Sequence, residues 1–555
     1  MTTKAGITLS DTRPSGTRTT GSTLTGTGNL IRLILRRDRF LMPLWVVIFP
    51  LVVAGYVTSF SDLFPTPAEL QQYADASRGN ASFVALYGQL HGSSSGQLVN
   101  WRSGFIPVMV GLASLLTVIR HTRTEEEAGR RELLGATVVG RHAGLAAAMI
   151  ATIGANVVMG VLLAALMIGQ QLPTAGSVAM GLEFAAAGAI FAAVGAVAAQ
   201  LTESAGSARG IAITVLGVSY LLRVVGDVSD ISAGGLGWVS WVSPIGWVQR
   251  ISPYQDEQWA WLLPAVVVTA LLAWIAVVLS ARRDIGSGLL PARLGPAEAA
   301  PGLSSPLALA WRLERGLLAG WAAAFAALGV VLGGVANGVG DLVGTNQALK
   351  DVFSRIGGRE GLVDAYLVSV MAILGLIAAA YAIQATLRLR TEEAAGRAEP
   401  VLATAVGRLQ WAGSHLMFAV LGPAVVLLIS GLFAGLTYGA SIGDVGGQVP
   451  RVIGAAAIQL PAVWVLAAIA VAFVGLLPRL AAVSWGALVL CLLIGLVGTA
   501  IQLNHWLLDL SPFTHVPHLP GGDVAALPLI SLLVIAVLLG GAGLVGLRRR
   551  DIPVG

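Results

Sequence analysis

Long apolar blocks separated by short polar stretches run the length of this chain. A helix that crosses a bilayer needs about 20 mostly apolar residues. Blocks of that length lie near 41–60, 103–120, 143–168, 176–201, 209–226 and 257–281. A second set lies near 316–337, 363–387, 411–437, 452–476, 480–503 and 524–547. The pattern predicts an all-α integral membrane protein of about twelve spans. The stretch PARLGPAEAAPGLSSP at 291–306 interrupts the series and has the Pro- and Gly-rich composition of a linker. It divides the chain into a first six-span half, 29–285, a linker, 286–306, and a second half, 307–555. Residues 1–28 are rich in Ser, Thr and Gly and lack the apolar run of a signal peptide. They read as a disordered cytoplasmic tail.

The two halves repeat each other. RTEEEAGRRELLGATVVGR at 123–141 and RTEEAAGRAEPVLATAVGR at 390–408 share thirteen of nineteen positions at an offset of 267. The same offset relates Arg282-Arg283-Asp284-Ile285 to Arg549-Arg550-Asp551-Ile552, and Ser243-Pro244 matches Ser511-Pro512 one residue further on. Self-similarity at one spacing over separated places marks an internal duplication. Each half holds an even number of spans, so the two repeats run parallel through the membrane.

Both copies of the long motif fall between the second and third spans. With Glu126 and Glu127 four residues before Arg130 and Arg131, helical pairing in the favourable order is expected. Gly129 and Gly396 weaken a helix, so each copy reads as a short helix, a break and a second short stretch. A solvated, ion-paired face would need only charge; two copies with the same charges in the same order fit a docking surface for a partner with two equivalent faces.

Charge then sets orientation. With both ends in the cytoplasm, 26 of the 34 basic residues fall on the cytoplasmic side and 8 on the outer side. That bias follows the positive-inside rule. Only 11% of residues are charged, against roughly 25% in soluble proteins, so much of the surface must face lipid. The basic residues flank apolar runs and do not gather into a nucleic-acid footprint. The single cysteine, Cys491, excludes an intrachain disulfide and a cysteine metal cage, and reads as a small buried hydrophobe.

Six spans per half with a short charged helix between spans two and three resemble the ABC-2 type of ABC exporter permease, also called the type V exporter fold. The EExAGRxE motif, the AT.VGR run and the RRD ending resemble the actinobacterial polyketide-antibiotic (tetronasin-type) exporters, over nearly the whole chain. The resemblance implies that the loop between spans two and three is a coupling helix docking on a separate ATPase. It assigns that role to Glu125, Glu126, Gly129, Arg130, Glu132 and Arg141 in half one. In half two it assigns it to Glu392, Glu393, Gly396, Arg397, Glu399 and Arg408. Pro400 replaces Leu133 and is expected to break the helix register of the second copy. The family also opens each half with an amphipathic elbow helix. NLIRLILRRDRFLMPLW at 29–45 fits that description, and LALAWRLERGLLAGW at 307–321 is a weaker copy.

The chain has no GxxxxGK[ST] phosphate loop. As an ABC exporter it would carry no cofactor of its own and would need two copies of an ATPase subunit holding ATP and Mg. His515-x-x-His518 with Asp509 and Asp523 lies in a Pro- and Gly-rich stretch, and no metal site is assigned to it. Glu183 lies within a span, where substrate contact and snorkelling toward water are both open. Trp238, Trp241, Trp247, Trp259 and Trp261 read as an interfacial belt or as part of a substrate exit. Trp45, Phe49, Phe105, Tyr220, Trp321, Phe325, Tyr366 and Trp485 are candidates to line a pathway, with packing or lipid-facing positions as the other reading. The loop at 61–101 reads as a small helical cap.

The expected function is the permease of an ATP-driven exporter in a bacterial plasma membrane, expelling hydrophobic or amphiphilic compounds. It would be a transport subunit and not itself an enzyme. The competing expectation, a secondary transporter driven by an ion gradient, needs buried ionisable groups. Few are visible beyond Glu183, Arg223 and His415.

Overall fold

A computed structural model of the chain describes residues 23–79, 81–131, 138–231, 235–284, 286–290, 295, 297–343, 358–497, 504–521 and 525–551. The tail up to residue 22, Glu132, Lys350, Arg355 and Asp523 lie outside these residues. Every regular element among the described residues is a helix.

Eleven helices are long and apolar enough to cross a membrane, and twelve if one bent pair counts as a single span. They coincide with the spans expected from the sequence. The bent pair is the second span of half one, made of Ser95–Arg102 and Ile106–Glu127 at 46°. Its main helix, Ile106–His121, has only 16 residues. At about 1.5 Å per residue it falls short of a roughly 30 Å core. The break falls at Ser103-Gly104, with Pro107 in the first turn beyond it, where a missing N–H costs no helical hydrogen bond. The fourth span of half two is likewise made of two helices, Val445–Ala457 and Leu460–Leu476.

By contact the chain forms two compact units. One comprises Met1–Leu63, Ser95–Asp230 and Gly234–Arg293; the other comprises Phe64–Ser94, Ile231–Ala233 and Leu294–Gly555. The expected cap at 61–101 is helical, with Pro67–Arg78 and Ala81–Tyr87 at its centre. Thr66 and Glu69 close a capping box at its start, each side chain satisfying the other's backbone N–H. Both cap helices group with the second unit, packed on Pro306–Val343.

In the first unit the fourth span, Thr174–Leu201, is central and packs on the second, third and sixth spans. Its residues are mostly small, which lets neighbouring backbones approach. At the crossing of the third and fourth spans, a Cβ on Gly160 would lie 2.4 Å from the Gly181 carbonyl oxygen, and the reverse distance is 2.3 Å. Small residues at the contact are how membrane helices gain close packing without a hydrophobic drive between them.

In the second unit the core forms around the second span, Gly358–Ala394. Leu367, Met371, Leu374 and Ala378 meet Val426, Leu427 and Ala434 of the third span, Arg408–Ile442. The two elbow expectations part here. The first elbow is a separate helix, Thr27–Arg37, with Leu33 and Leu35 exposed and Ile34 buried. The second copy has no break and runs on into its span as one 38-residue helix, Pro306–Val343.

The candidate coupling site, built twice

In each half the charged motif begins just past the apolar part of the second span. In half one the short helix Arg123–Glu127 follows, and Gly129 then takes φ 68°. In half two the second span continues through the acidic residues to Ala394, and Gly396 takes φ 69°. A left-handed backbone suits glycine and ends the helix. The chain reverses there, and this alters the pairing expected for an unbroken helix. Arg130 reaches Glu125, Nε to Oε2 2.7 Å, and Arg397 reaches Glu392 at 2.7 Å between the same atoms. The pairs are five residues apart and not four.

The second acidic residue of each copy turns inward. Glu126 is buried and meets Arg123 at 2.7 Å, Arg131, and Arg283 at 2.9 Å. Glu393 is buried and meets Arg390 at 3.5 Å and Arg550 at 2.5 Å. Arg283 and Arg550 stand just past the sixth span of their halves, at the repeat offset. The last residue of each motif closes the other end. Arg141 Nη2 donates to the carbonyls of Ala281, 2.8 Å, and Arg283, 3.2 Å. Arg408 Nη1 donates to those of Arg548, 3.4 Å, and Arg550, 2.7 Å. The last carbonyls of a helix have no partner within it and carry negative partial charge, so an arginine is a matched cap. In both halves, then, the loop between spans two and three is clasped to the end of span six by a buried ion pair and an arginine cap.

Half one carries more of these ties. Arg123, fully buried, also donates to the carbonyls of Glu203, Gly286 and Ser287 at 2.8–2.9 Å. Glu127 Oε2 accepts from the N–H of Ala205, 3.0 Å, at the start of the fifth span; Ala394 stands at the equivalent place in half two. The elbow joins as well. Arg37 meets Glu125 at 2.5 Å, and Asp38 meets His121 at 2.6 Å and Arg120 at 3.1 Å. Elbow, loop and span-six end line a half-open cavity of about 550 Å³ whose walls include Leu30, Ile34, Arg37, Glu125, Arg131 and Arg141. The hydrogen bond from Arg130 holds the Glu125 carboxyl below its ordinary range, and Arg130 is raised in turn. Burial pushes Glu126 upward, but Arg283, Arg131 and Arg123 outweigh it and hold that carboxyl low too.

Of the residues expected to dock a partner, Glu126, Glu392 and Glu393 therefore point into their own half. Arg130, Arg397 and Glu399 face outward. Pro400 sits in the first turn of a new helix, Ala398–Leu402, which accepts proline. The sequence reading missed Arg283 and Arg550 as members of the site, although the recurrence of RRD at the repeat offset carried the signal.

The pathway candidates are spread through both units. Phe105 and Tyr220 stack edge to face at 5.4 Å, with Arg223 over the Tyr220 ring. Phe325 is fully buried beside Trp321, and the Tyr366 hydroxyl donates to the Leu332 carbonyl. Trp45 is buried, Phe49 half-buried and Trp485 exposed. Glu183 is 2% exposed, so its side chain does not snorkel to water, and one carboxylate oxygen has no hydrogen-bond partner. Trp238, Trp241 and Trp259 are exposed, and Trp247 donates to the Trp241 carbonyl. The His515 ring bonds the Asp509 carbonyl, 2.9 Å.

Eleven to twelve apolar helices among the described residues, with a loop-to-helix clasp in each half, define a multi-pass membrane protein. The chain is 44% identical over 543 residues to the multidrug efflux system permease protein Rv1217c of Mycobacterium tuberculosis, covering 97% of this chain and 98% of that protein. Residues 303–548 match the family model described as the C-terminal domain of the multidrug efflux system permease Rv1217c. The chain belongs to this family of multidrug efflux permeases.

Proposed function

We propose that the chain is the membrane subunit of an ATP-driven ABC exporter of the ABC-2 type, related to the tetronasin-type exporters. It expels hydrophobic or amphiphilic drug-like compounds with two copies of a separate ATPase. The observation that carries this reading is the clasp repeated at one offset in both halves. A loop tied by buried ion pairs to the end of span six transmits a push on its outer face to a whole span. A partner with two equivalent ATP-driven faces would push both loops. Shifting a two-state protein from 1:99 to 99:1 takes about 5.5 kcal/mol, which a loosely attached loop could not deliver. The outward Arg130 and Arg397 offer contacts to that partner. ATP and Mg belong to the ATPase in this reading.

The test is substrate uptake into inside-out vesicles that contain the chain and a co-expressed ATPase. Uptake is expected only with ATP and to persist when ionophores collapse the ion gradients. Uptake that follows the gradient and ignores ATP would instead establish the secondary transporter that the buried Glu183 and His415 would suit.

A further inference from the structure

The duplication supplies an internal comparison. The buried charges of the clasp occur in both halves; one buried polar cluster does not. Glu314 on Pro306–Val343 and His415 on Arg408–Ile442 approach each other inside the second unit, and Tyr381 on Gly358–Ala394 packs against the same two helices at Leu317, Leu318 and Leu416. The side chains of Glu314 and His415 are 0% and 4% exposed, and Tyr381 is fully buried. His415 Nδ1 stands 3.8 Å from Glu314 Oε1, beyond hydrogen-bond length. Both Glu314 oxygens, His415 Nδ1 and the Tyr381 hydroxyl have no hydrogen-bond partner. No arginine or lysine pairs with Glu314 among the described residues. At the repeat offset the first half has Val47, Ser114 and Ala148. A six-span half of this kind is thus built without the cluster.

Four orphaned polar atoms buried where the same two helices meet are costly, and ionisable groups within membrane spans are kept for function. The surroundings indicate which ligand they suit. Trp321 stands edge-on to Tyr381 with centroids 5.8 Å apart, and Trp411 edge-on to His415 at 5.9 Å. An unpaired carboxylate among aromatic rings attracts an organic cation by charge and by ring quadrupoles. Glu314 and His415 lie eight or nine residues into their helices. That places them about 12 Å from the motif-side helix ends at 1.5 Å per residue, a depth that suits the charged head of an amphiphile.

We propose that Glu314, Tyr381 and His415 form a binding site for the cationic head of an amphiphilic substrate, carried by the second half alone. This rests on the export reading above and names its substrate class. The site is closed in this state, and loading requires Pro306–Val343 and Arg408–Ile442 to part at its level.

The test uses the full chain in lipid nanodiscs. Equilibrium binding is measured for tetraphenylphosphonium, a permanent hydrophobic cation, and for triphenylphosphine oxide, a neutral compound with similar rings. Glu314→Gln is expected to weaken cation binding about tenfold or more, because a desolvated attraction is lost, and to leave neutral binding within about twofold. Glu314→Asp should keep most of the cation binding. Tyr381→Phe, which keeps the ring, should weaken the cation alone by a few-fold, and serves if the glutamine variant does not fold. No cation binding by the parent chain would overturn the site, as would equal loss of both ligands in a folded variant. Export from cells separates the two readings. Expulsion of both compounds by the parent and by Glu314→Gln alike overturns the site and leaves the exporter standing, whereas expulsion of neither by the parent removes the exporter reading.

Discussion

Arg283 meets Glu126 at 2.9 Å across 157 residues of sequence, joining the end of the sixth span to the loop between the second and third. Arg550 meets Glu393 at 2.5 Å across the same separation. The contact is thus a property of the six-span unit and was duplicated with it.

Removing one partner of such a pair leaves the other charge stranded. Glu126→Ala leaves Arg123, Arg131 and Arg283 facing one another and is expected to cost about 3–5 kcal/mol. Thermal unfolding in detergent would show it as a lowered transition. Replacing Glu126 and Arg283 together with methionine should recover part of the loss, since one stranded arginine fewer then remains and Arg123 keeps the carbonyls of Glu203, Gly286 and Ser287.

The outward arginines should behave in the opposite way. Arg130→Glu disturbs a surface pair worth roughly 0–1 kcal/mol, so insertion and thermal stability should hold. Arg397→Glu sets a like charge beside the buried Glu392, which keeps Arg388, and should cost somewhat more. ATP-dependent transport should fall sharply in the double variant. Co-purification of the ATPase with each variant shows whether docking or transmission has failed.

Acid should loosen the clasp of half one. The folded Glu125 and Glu126 carboxyls sit below their ordinary value of 4.5. A lowered carboxyl contributes stability that is present above the unfolded value and lost as pH falls through the folded one. Unfolding temperature measured from pH 7 to pH 3 should drop most steeply below 4.5, and Glu126→Gln should flatten that drop.

At the crossing of the third and fourth spans, Gly160→Leu places side-chain atoms where the Gly181 carbonyl stands. An ideal Cβ alone would lie 2.4 Å from that oxygen. The helices must separate, and a loss of about 1–3 kcal/mol or more is expected, read as reduced abundance in the membrane and a lower unfolding temperature.

The charge split predicts that both termini and the 282–315 stretch lie on one side, the cytoplasm. Reporter fusions at these three places should all report the cytoplasm. An external 282–315 stretch would require an odd number of spans in the first half.

The spans were legible because hydrocarbon thickness dictates the length of an apolar block. Arg408–Ile442 and Ala526–Arg549 lie close to where hydropathy placed them. The duplication was legible from identical residues at a fixed offset. The clasp was only half visible. Local helical spacing pairs Glu126 with Arg130, but the left-handed turn at Gly129 breaks that spacing and frees Glu126 for Arg283. Which distant arginine a buried carboxylate meets depends on helix packing, and no local periodicity encodes it. The cluster of Glu314, Tyr381 and His415 was hidden for the same reason, since its members come from three separate spans.

Arg141 and Arg408 grip main-chain carbonyls. Every residue type presents a carbonyl, so drift in the side chains at 281 and 548 leaves these caps in place. Only a change in the path of the backbone, an inserted proline or a deletion, would take the acceptor away. An ion pair is lost by a change at either of two side chains, a cap only by a change at its one arginine. Each half therefore keeps one attachment that depends on two side chains beside another that depends on one.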